Sequence, residues 1–82
     1  MKYVFPAIFT EDNSSFAIRF PDIEGCFTCG STLTESIEMA EDALALMLYE
    51  YEKDGTPIPS PSRMQSINTD ANEFIACITC NI

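Results

Sequence analysis

The feature that most constrains this sequence is a single helix with both of its ends marked. Thr32-Leu33-Thr34-Glu35 has the form of a capping box, a hydroxyl at the N-cap and a carboxylate three residues on, and Gly55 suits the left-handed position that closes a helix. Between these marks Leu33, Ile37, Ala40, Ala43, Leu44, Met47, Leu48 and Tyr51 fall, at the helical period, within a sector of roughly 140°. The spacing predicts a helix running to about Asp54 that buries this stripe. A chain of 82 residues then has room for one domain and one modest core. Whatever covers the stripe must come from the rest of the chain.

The rest of the chain reads as strands. Lys2 to Phe9 is aromatic and β-branched, Glu11-Asp12-Asn13-Ser14-Ser15 is turn-prone, and Phe16-Ala17-Ile18-Arg19-Phe20 alternates at period two, which together predict a hairpin. Pro21-Asp22-Ile23-Glu24-Gly25 reads as a loop and Cys26-Phe27-Thr28 as a short third strand. After the helix, Gly55-Thr56-Pro57-Ile58-Pro59-Ser60-Pro61-Ser62 suits neither helix nor central strand, and its prolines favour a stiff, extended connection. Glu73 to Ile82, rich in Ile and Phe, is a last strand. The order is β-β-β-α-β, an α+β arrangement of one domain over residues 1–82, without internal repeat.

Charge narrows the functions. Four Lys and Arg against thirteen Asp and Glu give −9, and seven of the acids (Glu35, Glu38, Glu41, Asp42, Glu50, Glu52, Asp54) lie with Lys53 in 35–54, so this stretch carries −6. Binding to RNA or DNA needs clustered cations that displace counterions from phosphates, so direct nucleic-acid binding by this chain is not expected. The absence of histidine removes the usual general acid or base at neutral pH, the Ser-His and Cys-His nucleophile pairs and every imidazole zinc site. No enzymatic activity is expected. The hydrophobic content, 46 %, is too high for a disordered acidic tail. No apolar run approaches a membrane span and the N-terminus lacks a signal-peptide pattern, so a cytoplasmic protein with reduced cysteines is expected.

Two C-x-x-C pairs, Cys26-Phe27-Thr28-Cys29 followed by Gly30, and Cys77-Ile78-Thr79-Cys80, are the usual supply for a structural zinc ion. Against zinc stand the 47 residues between the pairs, far more than a zinc ribbon uses, the lack of a Gly after the second pair, and the strand period, which sends positions i and i+3 to opposite faces. Free thiols are the ordinary alternative. The first two strands, Lys2–Phe9 and Phe16–Phe20, carry no acid that could hold a catalytic metal, and the three glycines are isolated, which rules out a phosphate loop. Apolar surface is left over: Met39 and Leu46 sit together on the helix flank outside the core sector, and the first strand has apolar side chains on both faces. One helix covers one face of a four-stranded sheet, so the second face, with Met39 and Leu46, is a candidate for self-association or partner binding.

Four stretches, Lys2-Tyr3-Val4-Phe5-Pro6-Ala7-Ile8-Phe9, Phe20-Pro21-Asp22-Ile23-Glu24-Gly25-Cys26-Phe27-Thr28, Gly30-Ser31-Thr32-Leu33-Thr34-Glu35-Ser36-Ile37 and Asp54-Gly55-Thr56-Pro57-Ile58-Pro59-Ser60-Pro61-Ser62, together resemble the HicB family of antitoxins. The resemblance implies a partial RNase H-like fold: a four-stranded mixed sheet in the order 3-2-1-4, the last strand parallel to the first, with the helix on one face. It implies a function as well, neutralising a HicA-type toxin, a small basic mRNA endonuclease that relies on a histidine. This histidine-free chain fits the antitoxin half. It further implies that Pro21, Asp22, Gly25 and Cys26 shape the loop, with Asp22 and Glu24 as candidate toxin contacts; self-association is expected separately, from the apolar face that one helix leaves uncovered. Many family members continue into a DNA-binding domain; only twenty residues follow Ser62 here, with Arg63 their single cation, so no such domain is expected in 1–82. Two other readings stay open, a zinc-stabilised binding module using Cys26, Cys29, Cys77 and Cys80, and a stand-alone regulatory domain of the same fold without a toxin.

Overall fold

The computed structural model describes residues 1–82. Strand β1 (Lys2–Asp12) forms a hairpin with β2 (Ser15–Arg19), β3 (Phe27–Gly30) pairs with β2, α1 spans Leu33–Asp54, Met64–Ser66 makes a 3-10 turn, and β4 (Glu73–Asn81) pairs with β1. The sheet order is β3-β2-β1-β4, as the resemblance implied. The hairpin is tighter than the sequence suggested. β1 continues through Glu11 and Asp12, and Asn13 and Ser14 alone turn the chain, with φ of 51° and 69°. Two successive left-handed residues give a two-residue turn whose twist matches that of the strands.

One expectation fails. The last strand is antiparallel to the first, from Lys2 opposite Asn81 to Thr10 opposite Glu73, so the sheet is wholly antiparallel and not mixed. The reason lies in the connection. α1 ends beside the start of β1, where the Tyr3 hydroxyl donates to Glu52 Oε2 at 3.5 Å. A parallel β4 would have to begin there. Instead the proline-stiffened segment travels the length of the sheet before pairing, and Glu11 N–H meets the Asn72 carbonyl at 3.1 Å. At the opposite end the Met1 ammonium donates to the Ile82 carbonyl (2.6 Å) and Ile82 N–H donates to the Met1 carbonyl (3.0 Å). These bonds fix the phase of the ladder: odd residues of β1 exchange hydrogen bonds with even residues of β4. Pro6, in mid-strand, therefore turns its missing N–H toward β2, whose pairing has already stopped at Ile8 opposite Arg19.

The helix begins and ends where its sequence says. Thr32 Oγ1 accepts from Glu35 N–H at 3.0 Å, and the Glu35 carboxylate reaches back to Ser31 N–H at 2.9 Å, one residue beyond the usual reciprocal bond. Gly55 (φ 73°) closes the helix in a Schellman motif, Gly55 N–H to the Glu52 carbonyl and Thr56 N–H to that of Tyr51. The buried ridge is Ser36, Ala40, Leu44 and Leu48, spaced four apart. Such a ridge is inclined to the helix axis, as suits a helix lying diagonally from β3 to β4. At the first turn it points toward Gly30 of β3, where an added Cβ would lie 2.8 Å from Ser36 Cα. Leu33 and Ile37, predicted in the stripe, are consequently turned out, 47 % and 37 % exposed. Opposite the ridge stand Phe5, Ala7 and Phe9 of β1, Ile18, Phe20, Ile23, Cys26, Ile78 and Cys80.

The second face is covered in part by polar contacts. Glu73 accepts from Arg19 Nη1 (2.9 Å), Thr10 Oγ1 (3.0 Å) and Asp70 N–H (2.9 Å), bridging β2 to β4 across β1. Ile8 beneath is buried. The 3-10 turn brings Met64 Sδ within 3.4 Å of Cys77 Sγ. Val4 and Phe27 remain in solvent on this side.

Candidate functional site

The loop after β2 is closed by its own backbone. Phe20 N–H donates to the Cys26 carbonyl, Ile23 N–H to that of Phe20 and Cys26 N–H to that of Ile23, all at 3.1 to 3.2 Å. Cys26 is thereby in the bend, and β3 starts one residue later than expected. Ile23 and Cys26 plug the core, Gly25 takes φ 78°, and Pro21 and Glu24 face solvent. The Asp22 carboxylate accepts from both the N–H (2.9 Å) and the hydroxyl of Ser62. Two sequence motifs forty residues apart are thus joined by one side chain, and its geometry assigns Asp22 to fastening the proline-rich connection.

The cysteines do not converge. Cys26 and Cys80 lie in the core on the helix side, while Cys29 and Cys77 are exposed on the opposite side, on β3 and β4 with two strands between them. No three groups of His, Cys, Asp or Glu stand close enough to share a metal ion. The zinc reading is therefore overturned: strand alternation sends Cys77 and Cys80 to different faces of β4, and the bend before β3 turns Cys26 into the core while Cys29 faces the other side. Burial, with the neighbouring Cys80, pushes the Cys26 thiol up to about 11, and burial, with Glu41, raises that of Cys80. Both behave as small apolar fillers.

The outward face of α1 carries the most distinctive surface. Met39 and Leu46, flagged from sequence, are 40 % and 62 % exposed, and Tyr49, 56 % exposed, extends their line by one turn. Met39, Asp42, Leu46, Tyr49 and Lys53 repeat at three and four residues, a seam facing away from the sheet with Glu35, Glu38 and Glu50 beside it. Tyr49 escaped the sequence reading, although its spacing from Leu46 was the available signal. Phe27, 73 % exposed, escaped as well, because nothing in a four-residue strand says which face is open. Apart from Lys53 at the end of the seam, the cations lie elsewhere: Lys2 and Arg19 project by register on the face opposite the helix, and Arg63 adjoins Met64 there. No helix is long and apolar enough to cross a membrane.

Residues 5–81 match the family described as HicB_like antitoxin of bacterial toxin-antitoxin system. Antitoxin HicB 2 of Photorhabdus laumondii subsp. laumondii is 40 % identical over 58 residues, which cover 71 % of this chain and 42 % of that protein. The chain spans about half the length of the curated relatives it matches. Among solved structures, a chain of the toxin–antitoxin complex from Streptococcus pneumoniae superposes with a TM-score of 0.90 at 20 % identity, over 99 % of this chain and 70 % of that one. A chain of the HicA3 and HicB3 toxin–antitoxin complex superposes with a TM-score of 0.78 at 24 % identity, over 98 % of this chain and 100 % of that one. With the loop, the capped helix, the sheet order and the profile match in agreement over nearly its whole length, the chain belongs to the HicB-like antitoxin family.

Proposed function

We propose that this domain is the toxin-binding part of an antitoxin: it docks on a basic, RNA-cleaving toxin of HicA type, covers the surface that would hold RNA, and performs no chemistry of its own. The observation that carries this is the apolar seam Met39, Leu46 and Tyr49 on a helix whose net charge is −6. Exposed aromatic and aliphatic anchors rimmed by carboxylates suit a cationic protein surface, since the anchors supply desolvated contact and the rim speeds encounter. A −9 protein presents the sign of potential that an RNA backbone would. It competes with RNA for the toxin and does not itself bind nucleic acid. The reading places the protein in the cytoplasm, where mRNA is cleaved, as a homo-oligomer.

The test is RNA cleavage by the toxin encoded beside this chain, with and without the chain at equimolar concentration. Cleavage is expected to stop, and Leu46→Arg, at an exposed position that leaves the core intact, is expected to weaken binding at least about tenfold with an unchanged melting temperature. Unimpeded cleavage with the unaltered chain sinks the antitoxin reading. Inhibition that survives Leu46→Arg moves the docking surface off α1.

A further inference from the structure

The outer edge of β4 is open. Because the even residues of β4 face β1, Ile75, Cys77, Thr79 and Asn81 turn their backbone N–H and C=O groups outward, and no backbone hydrogen bond from elsewhere in the chain reaches them. Soluble proteins protect such edges with charge, proline, bulges or short length. Phe74-Ile75-Ala76-Cys77-Ile78-Thr79-Cys80 has none of these, and the one nearby charge, Glu73, is turned onto Arg19. At the other end of the sheet β3 is only four residues long. The fold thus protects one edge and leaves the other ready to pair.

We propose that β4 is a self-association strand, pairing antiparallel with β4 of a second copy about a two-fold axis at Cys77. The register is self-complementary. Outward-facing Ile75 lies opposite Thr79 of the second copy, Cys77 opposite Cys77, and Glu73 opposite Asn81, so no like charges meet despite a net charge of −9 on each chain. On the helix side Phe74 falls opposite Cys80 and Ala76 opposite Ile78, large against small, and the exposed part of Phe74 gains cover. The product is one continuous eight-stranded sheet with both α1 helices on the same face, which presents two acidic seams side by side. This assigns a strand and a register to the self-association included in the proposed function, and it holds with or without a toxin.

The test is the mass of the chain alone by sedimentation equilibrium, together with oxidation by diamide, which takes the two electrons and two protons of facing thiols as a disulfide forms. A dimer is expected, with a diamide cross-link that Cys77→Ser abolishes and Cys29→Ser leaves intact. Thr79→Pro removes an outward N–H without touching the β1 ladder, and should give a folded monomer by circular dichroism. Cys77→Lys, which charges the edge, should do the same if the proline variant fails to fold. A chain that stays monomeric at every concentration overturns the proposal, as does a dimer unaffected by Cys77→Lys. A monomer whose β4 amides gain hydrogen-exchange protection only when the toxin is added also overturns it, and gives the edge to a toxin strand.

Discussion

The two faces of the sheet are closed by different physics. On the helix side Phe5, Phe9, Ile18, Leu44 and Leu48 are each no more than 1 % exposed, and cohesion comes from apolar burial spread over many contacts. On the other side a few polar fasteners, Glu73 with Arg19 and Thr10 and Asp22 with Ser62, hold a connection that has little core of its own. Dispersed burial makes the first face the source of global stability. Discrete fasteners make the second face separable, so that it can loosen without unfolding the domain.

The largest effect should come from truncating the helix ridge. Leu44→Ala is expected to cost about 2–5 kcal/mol in urea unfolding, enough to leave a domain this small marginal. A cost below about 1 kcal/mol would show that the helix side is not the stabilising face. Next comes acid. The Asp70 N–H, Arg19 and Thr10 hold the Glu73 carboxyl at about 2, below its ordinary 4.5. A carboxyl depressed by folding contributes stability that is fully present above about 4.5 and is lost as pH falls toward 2. Melting temperature followed over that window should therefore fall less steeply in Glu73→Gln than in the unaltered chain. Parallel curves would mean that the bridge contributes nothing. The smallest global effect belongs to Asp22→Ala, about 1 kcal/mol for an exposed pair of hydrogen bonds. Its signature should be local: faster proteolysis near Pro57–Arg63 at nearly unchanged melting temperature. If the whole domain loosens with it, the two faces are not separable.

The same contrast explains what could be read in the sequence. The helix and both its caps were legible because capping and periodicity act within a few residues, and Thr32, Glu35 and Gly55 do locally what their chemistry dictates. The exposure of Leu33 and Ile37 was not, because the tilt of the buried ridge is set by Gly30 admitting Ser36, a contact between elements. The direction of β4 was illegible for a related reason: seventeen residues between Gly55 and Glu73 can deliver the chain to either end of the sheet. Asp22 could be picked out as a loop residue, but its partner Ser62 lies forty residues away with nothing local to announce it. The cysteines misled in the opposite sense, since a local pattern suggested convergence that strand alternation forbids. Met39 and Leu46 were found because exposed apolar residues on an acidic helix violate the local pattern, and Tyr49 obeyed the same rule one turn further.

The pairing of Met1 with Ile82 has a mechanical consequence. The two ends of these 82 residues leave the fold at one corner, on adjacent antiparallel strands. Tension applied between them loads the β1–β4 ladder at its terminal rung, so that the rungs open in succession, as in a zipper, instead of sharing the load in shear. A short peptide joining the ends would close the backbone into a ring without bending either strand. New ends could then be cut at Asn13–Ser14, where the load would fall on the β1–β2 hairpin instead.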